Sequence, residues 1–139
     1  MIVLDTNVVS VMMVPRTAPV VLDWLDTQPI ESIWTTVVTV FEVRYGLAAL
    51  PKGRRRRALE VTFEHLLREG LGQRVLDFDS SAAVVAADLM ARLRREGRGI
   101  ELRDLQIAGI VSARRATLAT RNVKHFEHTG IGMVNPWDA

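Results

Sequence analysis

Apolar and polar positions change period several times along this chain. Ile2 to Leu4, after Met1, is a short unbroken apolar run, the pattern of a strand buried on both faces. It leads straight into Asp5, then Thr6 and Asn7, two small polar residues able to cap a following helix. Val8 to Val14 is a short helical segment ended by Pro15. Ala18 to Asp26 reads as a helix with Val20, Val21, Trp24 and Leu25 on one side. Ile33 to Val38, rich in Val, Thr and Trp, suits a second strand. From Thr39 the period turns helical, with Val40, Val43, Leu47 and Leu50 in one stripe up to Pro51. Thr39-x-x-Glu42 matches a capping box and predicts a helix that begins at Thr39.

The second half continues the alternation. Lys52-Gly53-Arg54-Arg55-Arg56-Arg57 leads into a helix carrying Leu59, Phe63, Leu66 and Leu67. Arg74 to Phe78 is a third strand, and Asp79 or Ser80 caps a long helix from Ala82 to Arg95 that Gly97 and Gly99 stop. Ile100 to Arg115 is the next helix, Thr117 to Thr120 a short strand, and Gly132 to Val134 a last strand closed by Asn135-Pro136-Trp137. No repeat, low-complexity tract or linker interrupts the pattern. Helices alternating with short apolar strands predict a three-layer α/β/α architecture with a mostly parallel sheet, as a single domain over residues 1–139.

Composition narrows the chemistry. The chain has no cysteine, which removes disulfides and thiolate zinc sites. Its longest run without a polar residue or glycine, Ala82 to Ala87, is six residues, against the ~18 needed to span a membrane. No secretory signal opens the sequence, so the cytoplasm is the expected compartment. The basic residues are 16 arginines with Lys52 and Lys124, which permits a nucleic-acid partner. Lys52 to Arg57 either grips a phosphate backbone or forms a solvated face. His125 and His128 lack a third ligand type nearby for zinc.

The acids are the candidate chemistry. Asp5 sits at the carboxyl end of the first strand, where open parallel sheets bind ligands, although a helix N-cap needs nothing more. Glu42 fits the capping box as third helical residue. Asp104 precedes Ile107, Ala108 and Val111 on one helical stripe, while Arg103 and Gln106 fall off it. An acid on a core-facing stripe needs a partner, either an arginine or a metal. Asn122 follows the fourth strand as Asp5 follows the first. These residues are too far apart for a local motif and meet only if the fold joins the element ends. Three carboxylates in one crevice call for a divalent cation or raised pKa values. An oxygen-only set points to Mg²⁺, with Mn²⁺ as a substitute, and so to phosphodiester hydrolysis.

These segments resemble a known family. Leu4-Asp5-Thr6-Asn7 resembles the opening of the PIN-domain ribonucleases, above all the VapC-type toxins of type II toxin–antitoxin pairs. Thr39 to Gly46 around Glu42, Arg103 to Ala108 around Asp104, and Leu118 to Phe126 around Asn122 are similar to the second, third and fourth segments of that family. Asn135-Pro136-Trp137 is similar to the ending of its FitB-like branch. The resemblance covers essentially the whole chain. It implies a PIN fold and an Mg²⁺- or Mn²⁺-dependent endoribonuclease acting as a toxin. It also implies a homodimer, a small cognate antitoxin, and operator DNA bound only through that antitoxin. By this likeness Asp5, Glu42 and Asp104 hold the metal, Asn122 assists catalysis, and Thr6, Thr120 and Arg121 support the site or the RNA. Many members carry a fourth acid where this chain has Asn122, so the site has one negative charge fewer. Two other readings stand beside it. One is a catalytically weak PIN-type interaction module. The other is a haloacid-dehalogenase-type phosphatase, disfavoured because Asn7 stands where that chemistry wants a second acid.

Overall fold

The computed structural model describes residues 1–139. Five short strands, β1 (Ile2–Leu4), β2 (Ile33–Thr36), β3 (Val75–Leu76), β4 (Thr117–Ala119) and β5 (Gly132–Val134), form one sheet in the order β3-β2-β1-β4-β5. Every pairing is parallel. The helices are α1 (Thr6–Met13), α2 (Pro19–Asp26), α3 (Val37–Ala48), α4 (Arg54–His65), α5 (Ser80–Arg95), α6 (Leu102–Ala113) and the short α7 (Val123–Phe126). A π-helical turn, Leu66–Gly70, extends α4.

Side chains alternate across the sheet as pleated strands require. Val3 and Leu118 enter one core with Ala82, Ala86, Leu89 and Leu93 of α5, Leu105, Ile107, Ala108, Ile110 and Val111 of α6, and Phe126. Leu4 and Ala119 enter the other with Val8, Val9 and Val11 of α1, Val21, Phe63 and Leu71. The result is the expected α/β/α sandwich. Helix α3 serves both cores, giving Val38 to the first and Val43 and Leu47 to the second. No helix is long and apolar enough to cross a membrane.

Two differences from the sequence pattern bear on the site. The second strand stops at Thr36, and α3 starts at Val37 rather than Thr39. The N-cap is Thr36, whose hydroxyl accepts from the Thr39 N–H at 3.1 Å. Two threonines three residues apart made either a plausible cap, and the buried β2 backbone selected the first. Glu42 is therefore the sixth helical residue, not the third. Helix α6 also has no single buried stripe, because all residues from Ile107 to Val111 are buried. It lies between the sheet and α5, so its middle is enclosed and its two ends reach the surface.

That packing depends on close approach. A Cβ on Gly109 of α6 would lie 2.8 Å from both the Ala82 carbonyl oxygen and the Ala86 Cβ. Backbone cannot yield there as a flexible side chain would. Gly109→Ala is therefore expected to destabilise the fold by about 1–3 kcal/mol despite the better helix propensity of alanine. Urea unfolding at constant m-value measures this, and an unchanged or raised midpoint would refute the tight α5–α6 contact.

Candidate active site

Strand order reverses at β1, with β2 and β3 on one side and β4 and β5 on the other. Ligand crevices of open parallel sheets form outside the carboxyl ends of strands at such a switch point. The register pairs Leu4 with Ala119, so the next residues, Asp5 and Thr120, face each other just beyond the strand ends. The ladder continues there through the Asp5 N–H to the Ala119 carbonyl at 3.0 Å.

Asp5 is buried at 6% exposure, and both its oxygens are engaged. Oδ1 accepts from the Thr6 N–H at 2.8 Å, making Asp5 itself the N-cap of α1. Oδ2 accepts from the Thr120 hydroxyl at 2.7 Å. Capping and site placement are thus compatible in one carboxylate. Thr120 is fully buried and accepts in turn from the Asn122 N–H at 3.0 Å and from Asn7 Nδ2 at 3.4 Å. Its hydroxyl is committed to positioning Asp5. Asn7 completes the tie by accepting from the Arg121 N–H at 3.2 Å.

Glu42 reaches the same place from α3. Its Oε1 accepts from the Thr6 hydroxyl at 3.1 Å, and its Oε2 lies 3.9 Å from the Arg103 guanidinium. Burial raises its pKa, against the opposing effect of Thr6 and Arg103. Asp104 comes from the first turn of α6, with Oδ2 3.4 Å from His125 Nδ1. Burial, then the nearby Asp5 charge, push its carboxyl up to about 6, although His125 pulls the other way. Glu101 pairs with Arg103 at 3.1 Å.

Asp5, Thr6, Asn7, Glu42, Glu101, Arg103, Asp104, Asn122 and His125 line one cleft of about 500 Å³ that contains no apolar residue. The cleft thus brings together Asp5, Glu42, Asp104 and Asn122. The acids do not close into one coordination shell, since no three His, Cys, Asp or Glu side chains gather tightly enough for direct ligation. Arg121 lies elsewhere, with its guanidinium 5.2 Å over the Trp137 ring. The Asn122 side chain caps nothing and is exposed, its amide left free.

Arg103 and His125 line the cleft although the sequence pattern does not mark them as site residues, and Glu101, close enough in sequence to add charge to Asp104, joins them. Arg103 falls off the helical stripe, but the first turn of α6 lies ahead of the buried stretch Ile107 to Val111, so its residues are sorted by the cleft and not by the stripe. Its adjacency to Asp104 was the available signal. Glu101 stands one helical turn before Asp104, a spacing visible in the chain. His125 pairs in sequence with His128, three residues on, but α7 turns it toward Asp104 instead.

The sequence matches the PIN domain family over residues 2–131. It is 39% identical over 139 residues, covering 100% of both chains, to the plasmid stability protein StbB of Pseudomonas syringae pv. tomato. It is 41% identical over 138 residues, covering 99% of each, to the VapC ribonuclease Y4jK of Sinorhizobium fredii. The solved structure of FitAB bound to an IR36 DNA fragment contains a similar chain, with a TM-score of 0.90 and 31% identity, over 99% of this chain and 96% of that one. Matching along nearly its whole length in both sequence and fold, the chain belongs to the PIN-domain family, among its VapC- and FitB-type members.

Proposed function

We propose that this protein is a divalent-metal-dependent endoribonuclease and the toxin of a toxin–antitoxin pair, acting in the cytoplasm. The observation that carries this reading is the wholly polar cleft in which carboxylates of three separate elements meet Asn122. Its acidic donors offer oxygen alone, which fits Mg²⁺ with Mn²⁺ as a substitute. Burial first, and then the neighbouring Asp5 charge, raise the Asp104 carboxyl, and a bound cation would oppose both effects. When bound, such a cation lowers the pKa of water and neutralises charge that develops on a phosphodiester. Asp5, Glu42 and Asp104 would hold it at least in part through water, since the three do not close into one direct shell, with the Asn122 amide oxygen assisting.

The chain's own groups do the positioning. Thr6 and Thr120 aim Asp5 and Glu42 through their N–H and hydroxyl groups. Arg103 faces Glu42 and Glu101 and limits their repulsion of an incoming phosphate. The ribonuclease relative supports RNA as substrate, and the DNA-bound FitAB neighbour supports a small partner that carries operator binding. An apolar groove of Met13, Val14, Leu47, Leu50 and Leu59 that ends on Thr6 and Glu42 supports an antitoxin reaching the site. Exposed Phe41 and Leu102, beside Val37 and Phe78, support a homodimer. A second reading, a catalytically weak module whose work is partner binding, is favoured by Asn122 alone.

Purified, antitoxin-free protein is expected to cleave RNA with Mg²⁺ or Mn²⁺. EDTA or Asp5→Asn should reduce cleavage by at least ~100-fold, the scale of losing one electrostatic catalytic group. Cleavage that survives both would sink the metal reading. No cleavage and no metal uptake by calorimetry would favour the interaction module.

Asn122→Asp is expected to tighten Mn²⁺ binding several-fold by calorimetry. Unchanged or weaker affinity would remove Asn122 from the site.

The raised Asp104 pKa has a definite sign in stability. The group's contribution is full below its unfolded value of 3.8 and is lost as pH rises through about 6. In EDTA, thermal stability of the wild type should therefore fall between pH 4 and 7 more than that of Asp104→Asn. Equal pH slopes for the two proteins would contradict a strained Asp104.

A further inference from the structure

Beside the acidic cleft lies a second hollow of about 330 Å³ that shares Glu101, Asp104 and His125 with it. Its outer part is basic, formed by Arg98, Lys124 and His128. The end of α5 aims Arg98 there. Gly97 turns left-handed at φ 70°, and the Arg98 N–H closes on the Leu93 carbonyl at 2.8 Å. The Arg98 guanidinium lies 2.7 Å from His128 Nε2 and 3.4 Å from Glu96. Arg92 fixes the same loop by donating to the His128 carbonyl at 2.9 Å. His128 also lies 3.3 Å from Glu127. Lys124, on α7, is exposed and has neither an ion pair nor a side-chain hydrogen bond.

This polarity is unusual beside an acid cluster. An acidic cleft repels a polyanion everywhere except at its cation, so a strand crossing it needs positive charge just outside. The hollow supplies that at one end. Its only apolar lining is Leu93 and Ile100, with no Phe, Tyr or Trp on which a base could stack. The arginine run is not an alternative grip at this point, because none of residues 52–57 lines either hollow. Within that run, Arg56 is already paired with Glu60 at 3.3 Å and reaches the Leu50 carbonyl at 3.4 Å.

We propose that the basic hollow is a subsite for an RNA backbone phosphate adjoining the scissile one, gripped by Lys124 and Arg98. The inference rests on the ribonuclease reading and extends it by fixing the side of the cleft from which the strand leaves. Phosphate contacts position a strand without reading its sequence. The subsite therefore adds affinity irrespective of base.

The test uses the full-length, antitoxin-free protein and a fluorescein-labelled oligouridylate, with binding followed by anisotropy in EDTA across a salt series. Lys124→Gln should make the slope of log affinity against log salt shallower by about 0.7, the value for one phosphate contact on a single strand. Arg98→Gln combined with Lys124→Gln should roughly double that change. A triple control, Arg54→Gln, Arg55→Gln and Arg57→Gln, should keep the wild-type slope. In Mg²⁺ the Lys124→Gln loss should appear as a raised KM at every cleavage position alike. Lys124→Gln leaves the α5 terminus untouched, so the test holds even if the double variant fails to fold by circular dichroism. An unchanged slope in Lys124→Gln, no RNA binding by the wild type, or loss of slope only in the arginine-run control would overturn the subsite. Absence of cleavage with the expected slope changes would instead overturn the nuclease reading and leave the phosphate site standing.

Discussion

Gathering carboxylates at one end of a parallel sheet costs electrostatic energy, and the surroundings of the cleft are arranged around that cost. Each acid meets it differently. Asp5 is met by two donors, the Thr6 N–H and the Thr120 hydroxyl. Glu42 is met by the Thr6 hydroxyl and the nearby Arg103 guanidinium. Asp104 has His125 at 3.4 Å and no side-chain hydrogen bond, and it carries the largest rise in pKa, through burial first and the Asp5 charge second. It is the acid whose ionisation the proposed cation would favour most.

The sheet makes this arrangement possible. Parallel register between β1 and β4 brings Asp5 and Thr120 to the same level, and the switch in strand order leaves a crevice there. Helix α6 is pressed against α5 through Gly109, Ala82 and Ala86, so its buried length anchors the turn that carries Arg103 and Asp104. A site whose side chains project from buried elements is held more precisely than one built on loops. Asn122 is the exception, since it stands exposed at the start of α7 with its side chain unpaired.

Charge changes sign over a short stretch of surface. Glu101, Asp104 and His125 belong to both hollows, with acids on one side and Arg98 and Lys124 on the other. Arg103 adds a cation inside the acidic part, paired to Glu101 and close to Glu42. A polyanion and a divalent cation thus find complementary neighbours side by side.

The chain's local pattern was sufficient for the alternation of elements, the buried β1 run and the stop at Gly97, and it narrowed the α5 cap to Asp79 or Ser80, of which the structure uses Asp79. Those features depend on neighbours within a few residues: period, capping oxygens and glycine conformation. Asp5, Asp104 and Asn122 were legible as candidates because each sits where an element begins or ends, and Glu42 because it fits a capping box that the structure places differently. The start of α3 was not, since Thr36 and Thr39 cap equally well until β2 pairing decides between them. Nor was the burial of α6, because a helix enclosed by sheet and helix loses the single stripe that a surface helix shows. Arg103, His125 and the basic hollow were hidden for the same reason. Which charges face each other across more than twenty residues is set by strand order and helix packing, and no local pattern encodes that.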